Sequence, residues 1–206
     1  MTDVSTEASA SSKSRYHHGD LREALVAASF DIVREKGAEN FALSDACRRA
    51  GVSTAAPYKH FRDRNEVLEE VAKRAFIALG DQGVSAAREA GEGTLDGIIA
   101  MNIAYVDFAR NEQALFKLMF GQNPELKEAE PVVECGRSCF LRVVDQFEIY
   151  CRRNGVAADA TDVCMRMWTF IHGMASLVID EDYEAVAPGF DYEALLIATT
   201  PKLLVP

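Results

Sequence analysis

One short segment of the 206-residue chain groups small side chains with hydrogen-bond donors in a way that suits contact with DNA. Small residues let a backbone approach the bases, and hydroxyl, ammonium and imidazole groups can donate to phosphate oxygens. The residues are Thr54, Ala55, Ala56, Tyr58, Lys59 and His60. We therefore interpret this segment as a surface that contacts nucleic acid.

A helix-turn-helix is the element that the flanking residues predict for this segment. Apolar residues from Leu43 to Ala50 mark a short helix that ends at Gly51, and Ser53 caps a further short helix that runs to about Phe61. About eight residues form a rod roughly 12 Å long. The major groove is approximately 12 Å wide, so the sequence predicts that this third helix enters the groove.

The distribution of charge supports this interpretation, although the net charge of −10 taken as a whole argues against a nucleic-acid partner. Residues 13–64 carry ten Lys and Arg against seven Asp and Glu. From residue 77 onward the chain carries 10 basic and 20 acidic residues. A basic N-terminal region followed by an acidic C-terminal region predicts separate partners for the two.

Helical periodicity extends through the chain from about residue 20, and no alternating strand pattern of useful length occurs, which predicts an all-α protein. Asp20 can cap the first helix, and Asp63 with Glu66 forms a capping-box pattern before a longer fourth helix that reaches about Gly80. One of the remaining predicted helices begins after a cap at Thr94. The others cover residues 115–120, 131–153, 159–179 and 191–204, and a loop is predicted at 121–126.

Composition and spacing argue against several other classes of protein. The longest uncharged stretch, from Met167 to Ile179, is too short to span a bilayer, and the N-terminus lacks the apolar centre of a secretory signal, so we predict a cytoplasmic protein without a membrane partner. The five cysteines show no CxxC or CxxH spacing, so no metal or other cofactor is predicted. Cys135 and Cys139 lie four apart, which leaves a redox role open.

Three motifs resemble one family of bacterial regulators. The TetR (tetracycline repressor-like) DNA-binding domain is similar to residues 41–68, FALSDACRRAGVSTAAPYKHFRDRNEVL, particularly in AGVS and PYKHF. Residues 15–25, RYHHGDLREAL, resemble the first helix, and the segment just before it, in one branch of this family. A Trp, His, Gly signature in the C-terminal domain of that branch is matched by Trp168, His172 and Gly173. The resemblance implies a helix-turn-helix regulator of transcription.

The resemblance also implies roles for individual residues near the DNA. Arg64 takes the place of the usual Lys at the start of the fourth helix, where cation and helix N-terminus both meet a phosphate. Ser44 stands where an Arg that reads a base often lies, and Ala42 replaces a usual capping Ser or Thr. Pro57 lacks the N–H that would bond the Ser53 carbonyl, so the first turn of the reading helix must loosen or tighten. The predicted DNA-contacting residues are Arg15, Tyr16, His17, Ser44, Ser53, Thr54, Ala55, Tyr58, Lys59, His60 and Arg64.

The family typically holds a small effector in an apolar cavity of its C-terminal domain. The residues that could line such a cavity are Tyr105, Phe108, Phe116, Phe120, Met165, Trp168 and His172. Each of these residues could equally be an ordinary residue of the hydrophobic core. Because an unpaired charge is costly to bury, we predict a predominantly apolar effector.

The predicted organisation is a disordered tail at 1–14, a helix-turn-helix DNA-binding domain at 15–64, a connecting helix at 65–80 and an effector-binding and dimerisation domain at 81–206. The long helices near 131–153 and 159–180 carry enough apolar residues for a four-helix interface in a homodimer. We predict a repressor that is released from a palindromic operator by its effector. The alternatives are an architectural DNA-binding protein without an effector, and a helical enzyme that uses the cavity, for which no nucleophile, base and orienting acid can be placed together.

Overall fold

The computed structural model describes residues 18–121 and 123–205. The predicted tail at 1–14 and the predicted contacts Arg15, Tyr16 and His17 lie outside these ranges. Within them the regular structure is entirely helical, so the all-α prediction is confirmed. The helices are α1 (His18–Lys36), α2 (Leu43–Ala50), a 3-10 helix (Pro57–Lys59), α3 (Arg64–Gly91), α4 (Leu95–Asn111), α5 (Gln113–Phe120), α6 (Pro124–Glu128), α7 (Glu130–Asn154), α8 (Ala160–Ile179), α9 (Asp182–Val186) and α10 (Tyr192–Leu203). None of the helices in the described ranges has both the length and the apolar character of a membrane span.

A small N-terminal core forms where α1, α2 and the 3-10 helix pack against the first turns of α3. Leu25, Phe61 and Leu68 are buried in this core. Asp63 caps α3 as predicted, because its carboxylate accepts a hydrogen bond from the backbone N–H of Glu66 at 3.0 Å. The cap sets the start of α3, the helix that connects the DNA-binding domain to the C-terminal domain.

The predicted α-helix at 53–61 is wrong, because the chain forms a turn and then the 3-10 helix. Pro57 has no N–H to donate to the Ser53 carbonyl, which accepts instead from Ala56 N at 3.0 Å. His60 N then donates to Pro57 O at 2.8 Å, which continues the tighter three-residue spacing. The prediction that Pro57 distorts the first turn is therefore confirmed.

The connecting helix α3 is longer than predicted, since it reaches Gly91 rather than about Gly80. Gly80 lies inside the helix and faces α7, where an added Cβ would lie 3.1 Å from Cys139 Sγ and 3.2 Å from Arg142 Nη1. Glycine at this position allows α7 to approach α3 closely instead of ending the helix. The predicted domain boundary at residues 80 and 81 consequently falls inside one continuous helix.

The C-terminal domain is built from α3, α4, α7 and α8, which pack against one another, and from α10, which packs on α4 and α8. The predicted cap at Thr94 is present, because Thr94 Oγ1 accepts from Gly97 N at 3.1 Å. Asp191 caps α10 in the same way, accepting from Ala194 N at 2.8 Å. The periodicity misses α6 and α9, because helices of five residues have too few positions to show a repeat.

Candidate DNA-contacting surface and ligand cavity

The turn of the helix-turn-helix depends on Gly51, which adopts φ 69° and ends α2 in the left-handed conformation. Glycine adopts this conformation without the strain that a side chain would cause. Ala42 begins α2 and makes no side-chain cap, which agrees with the loss of the usual Ser or Thr. The turn therefore directs the following segment, residues 53–60, away from α2; we call it the reading segment.

Most of the predicted DNA-contacting side chains in the described ranges are exposed; one lies on α2 and the others lie in the reading segment. The exposed ones are Ser44, Ser53, Thr54, Ala55, Tyr58 and Lys59. His60 and Arg64 are half-buried. Tyr58 has 67% of its surface exposed, which is unusual for an aromatic side chain. Among the described residues, Lys59 has no acidic partner within ion-pair distance, so its ammonium group is available to a phosphate.

The Arg64 side chain makes hydrogen bonds to backbone carbonyls of its own domain, whereas the resemblance implies a contact with phosphate. Its Nε donates to the carbonyl of Phe41 at 3.0 Å, and its Nη2 donates to the carbonyl of Ala38. The guanidinium group also lies 5.7 Å from the centre of the Phe41 ring. Arg64 thus fastens the loop between α1 and α2 to the start of α3, and it positions α2 from inside the domain.

Several other cations of the DNA-binding domain are held by neighbouring carboxylates. Arg49 makes two hydrogen bonds to Glu35, at 2.6 and 2.8 Å, and these lower the pKa of the Glu35 carboxyl. Arg48 lies 2.6 Å from Asp45, which Lys36 also approaches at 3.5 Å. These pairs leave the net charge of the domain unchanged, but they leave fewer cations unpaired and available to phosphate. The number of charged residues could not reveal the pair of Glu35 and Arg49, because these residues lie on different helices.

A cavity of about 420 Å³ lies in the C-terminal domain, bounded by α3, α4, α6, α7, α8 and the end of α5. Its walls are mainly aromatic rings and methionines. Four of the seven predicted effector residues line it, namely Tyr105, Phe120, Met165 and Trp168. Its volume falls within the range of small-molecule sites, which is roughly 300 to 1,000 Å³.

The other three predicted effector residues do not line the cavity. Phe108 and Phe116 are buried in the core that joins α1, α3, α4 and α5. His172 lies behind Tyr105 and stacks on the ring of Phe116, with 5.4 Å between the ring centres. Phe116 and Phe120 are one turn apart on α5, and only their packing decides that Phe120 borders the cavity.

Two residues of the cavity wall, Tyr105 and Trp168, form a hydrogen-bonded triad with His172, which does not line the cavity. The Tyr105 hydroxyl accepts from Trp168 Nε1 at 3.2 Å and lies 2.8 Å from His172 Nδ1. Burial raises the pKa of the Tyr105 hydroxyl and lowers the pKa of the His172 imidazole, which favours the uncharged form of both groups. The tautomer of His172 decides which of the two donates in their hydrogen bond. The triad fixes the orientation of Tyr105 and leaves its polar atoms engaged within the protein.

Two positively charged side chains at the cavity are absent from the predicted set. Lys127 on α6 and Arg137 on α7 line the cavity, and both side chains are otherwise exposed. No sequence pattern indicated Lys127, because the predicted loop at 121–126 hides the start of α6. Phe76 and Met101 also line the cavity without having been predicted.

The cysteines show the features of packed side chains. Cys139 borders the cavity, and burial raises the pKa of its thiol to about 11. Burial likewise raises the pKa of Cys164 to about 12. In the described part of the chain, no group of three or more His, Cys, Asp or Glu lies together as a metal site would require.

The helix-turn-helix and the helical domain that follows it define a DNA-binding regulator of transcription. A family model described as "Bacterial regulatory proteins, tetR family" matches residues 25–71. A second, "Tetracyclin repressor-like, C-terminal domain", matches residues 98–199. The chain belongs to the TetR family, and the resemblance found in residues 41–68 is confirmed. The Trp, His, Gly branch signature stays a prediction.

Known proteins with similar sequences or structures agree with this assignment. An uncharacterized HTH-type transcriptional regulator from Haemophilus influenzae is 26% identical over 128 residues, which is 61% of this chain; the chain spans 58% of that relative's length. A protein of unknown function from Rhodococcus sp. RHA1 has a structure that is 29% identical, with a TM-score of 0.75 over 93% of this chain and 97% of the other. SmeT, the repressor of the Stenotrophomonas maltophilia multidrug efflux pump SmeDEF, has been solved in complex with triclosan; that structure is 18% identical, with a TM-score of 0.56 over 88% of this chain and 90% of the other.

Proposed function

We propose that this regulator is a ligand-responsive repressor that binds a palindromic operator as a homodimer and releases it when a small, largely apolar molecule enters the cavity. The observation that carries the proposal is that α3 belongs to both regions. The helix begins at Arg64, beside the reading segment, and its side chains Phe76 and Leu79 line the cavity. A molecule that displaces these two side chains therefore acts on the helix that carries the DNA-binding domain.

Helix α5 provides a second connection between the two regions. Phe120 at its end lines the cavity and packs edge-on against Phe76, with 5.5 Å between the ring centres. Glu112, just before α5, accepts a hydrogen bond from Arg34 of α1 at 2.6 Å. Because half-sites lie about one turn of DNA apart, a small rotation of the two DNA-binding domains prevents both from engaging at once.

The proposed homodimer uses α8 and α10 rather than the predicted pair α7 and α8. Phe147 on α7 is buried within the monomer, so it is not available to a partner. Helix α8 exposes Met165 and Leu177, and α10, which packs beside it, exposes Ala194, Ile197, Ala198 and Pro201. The two helices thus present a largely apolar face, which an isologous dimer would cover.

The fold of SmeT supports the same proposal. SmeT is a repressor and forms a complex with triclosan, and its fold is similar to that of this chain. Because the two sequences are 18% identical, this comparison supports similarity of the fold alone.

Selection of binding sites from random DNA duplexes, carried out with the full-length protein, tests the DNA-binding part of the proposal. We expect the selected sequences to contain an inverted repeat with half-sites about one helical turn apart. Small apolar compounds are then screened for release of the selected duplex in a gel-shift assay. Binding that is independent of sequence would contradict the proposal and favour an architectural DNA-binding protein.

A substitution at Lys59 tests whether the reading segment contacts phosphate. Lys59→Ala should lower the slope of log affinity against log salt concentration by about one unit, because one counterion fewer is released. Arg152→Ala, which removes an exposed cation from α7, should leave the slope unchanged. An unaltered slope in Lys59→Ala would remove this residue from the contact surface.

A further inference from the structure

Two polar side chains inside the cavity, Tyr105 and Asn102, make hydrogen bonds within the protein. The Tyr105 hydroxyl bonds to Trp168 and His172, as described above. The side-chain amide nitrogen of Asn102, also at the cavity, donates to Thr200 Oγ1 at 3.3 Å. The rest of the interior is apolar, so a strongly polar group of a ligand would lose its hydration there without gaining a partner.

The lining of the cavity also includes charged side chains. Among the described residues that line the cavity, the charged ones are Lys127 and Arg137, and both are cations. They lie on α6 and α7, and both side chains are exposed, which indicates that they border the cavity where it meets solvent. The nearby Glu128 and Glu134 do not line the cavity.

The two cations are free to meet a ligand. Arg137 lies 3.8 Å from Glu134, with both side chains more than half exposed, so this pair is weak. Lys127 makes no ion pair with any residue that the structure describes. Ammonium and guanidinium groups bind carboxylates through charge-assisted hydrogen bonds, which are stronger than neutral ones.

We propose that the ligand of this cavity is an amphiphilic carboxylate, with its hydrocarbon or aromatic body inside and its carboxylate between Lys127 and Arg137. The inference rests on the proposed function and names the chemical class of the effector. It adds one negative charge to the predicted, predominantly apolar effector and places that charge at the exposed cations rather than in the interior. The apolar body still accounts for most of the contact surface.

Three probes with the same hydrocarbon chain length test this assignment: decanoate, decanol and decylamine. Each is added to the full-length protein at neutral pH, below the concentration at which it forms micelles, and binding is followed by the fluorescence of Trp168, the single tryptophan. We expect decanoate to bind about tenfold more tightly than decanol, because a hydrogen bond to a charged group is worth at least that factor. Decylamine should bind most weakly.

The variant Lys127→Gln/Arg137→Gln should bind decanoate and decanol equally, with its affinity for decanol unchanged. Arg88→Gln/Arg152→Gln makes the same change of charge at exposed positions away from the cavity and should keep the preference for decanoate. Melting temperatures of both variants should match that of the original protein, because all four side chains lie on the surface.

Equal affinities for decanoate and decanol in the original protein would overturn the inference, as would a preference that survives in Lys127→Gln/Arg137→Gln. Failure of all three probes to bind would also overturn it. Operator selection is carried out without any probe, so the two proposals fail separately. A protein that binds decanoate but selects no operator refutes the proposed function, whereas one that selects an operator but ignores decanoate refutes only the ligand class.

Discussion

Tyr58 and Tyr105 show how differently the two domains use the same side chain. Tyr58 projects from the reading segment with two thirds of its surface exposed, and its hydroxyl is open to an incoming partner. Tyr105 is enclosed within the helical domain, where its hydroxyl is engaged by Trp168 and His172. The N-terminal domain presents polar groups outward, whereas the C-terminal domain pairs its polar groups internally and leaves an apolar space.

The difference determines how far binding and stability can be separated in each domain. The reading segment lies on a core formed by residues such as Phe61, so its exposed side chains can change without disturbing that core. In the C-terminal domain, Phe147 and Met167 line the cavity and are also buried core residues. Substitutions there are expected to affect both stability and ligand binding.

Phe147→Ala should have the largest effect, since this side chain is 1% exposed. Removing a buried aromatic ring typically lowers the free energy of unfolding by about 3 to 5 kcal/mol. Leu141→Ala on the same helix is the control; Leu141 is 53% exposed, and a change of about 0.5 kcal/mol or less is expected. Denaturant unfolding measures both, and similar losses for the two variants would contradict the assignment of Phe147 to the monomer core.

Ile197→Arg should weaken DNA binding although it lies far along the chain from the reading segment. A charge on the exposed face of α10 is expected to separate the proposed dimer, and loss of the linked second half-site lowers affinity by about 100-fold. Light scattering reports the dimer, and a gel shift reports the affinity. Leu141→Arg, at a position 53% exposed on α7, introduces the same side chain outside the two helices of the proposed interface and should leave the dimer intact.

Tyr105→Phe should destabilise the protein by about 1 to 3 kcal/mol, because Trp168 Nε1 and His172 Nδ1 lose their shared partner in a buried site. Operator affinity should change little in the absence of ligand. Thermal unfolding and a gel shift measure the two quantities. An unchanged melting temperature would show that the triad does not contribute to stability.

Tyr58→Phe should have the smallest effect and the opposite pattern. Loss of one exposed hydroxyl is expected to weaken operator binding by about 1 kcal/mol, close to fivefold, with the melting temperature unchanged. A fall in stability with unchanged DNA binding would place Tyr58 in the core and remove the contrast between the two domains.

The predictions that depend on neighbouring residues could be made from the sequence. The predicted caps at Asp63 and Thr94 each involve residues within three positions of one another, so their hydrogen bonds follow from local spacing. The family resemblance likewise rests on contiguous residues, 41–68, and it located the exposed reading segment. The effect of Pro57 was anticipated as a distortion, but whether the turn would tighten or loosen was left open.

Only the tertiary structure decided the features that involve distant residues. Gly80 is the interior of a helix because α7 packs against it, whereas sequence reasoning treated it as a helix end. The cavity is formed by side chains from helices that are separated along the chain, so periodicity identified apolar faces without showing which of them meet. Lys127 and Arg137 lie on consecutive helices, but only the packing of these helices shows that both side chains line the cavity. Local hydrogen bonds can be inferred from spacing, but the packing of one helix on another depends on the shapes of both surfaces.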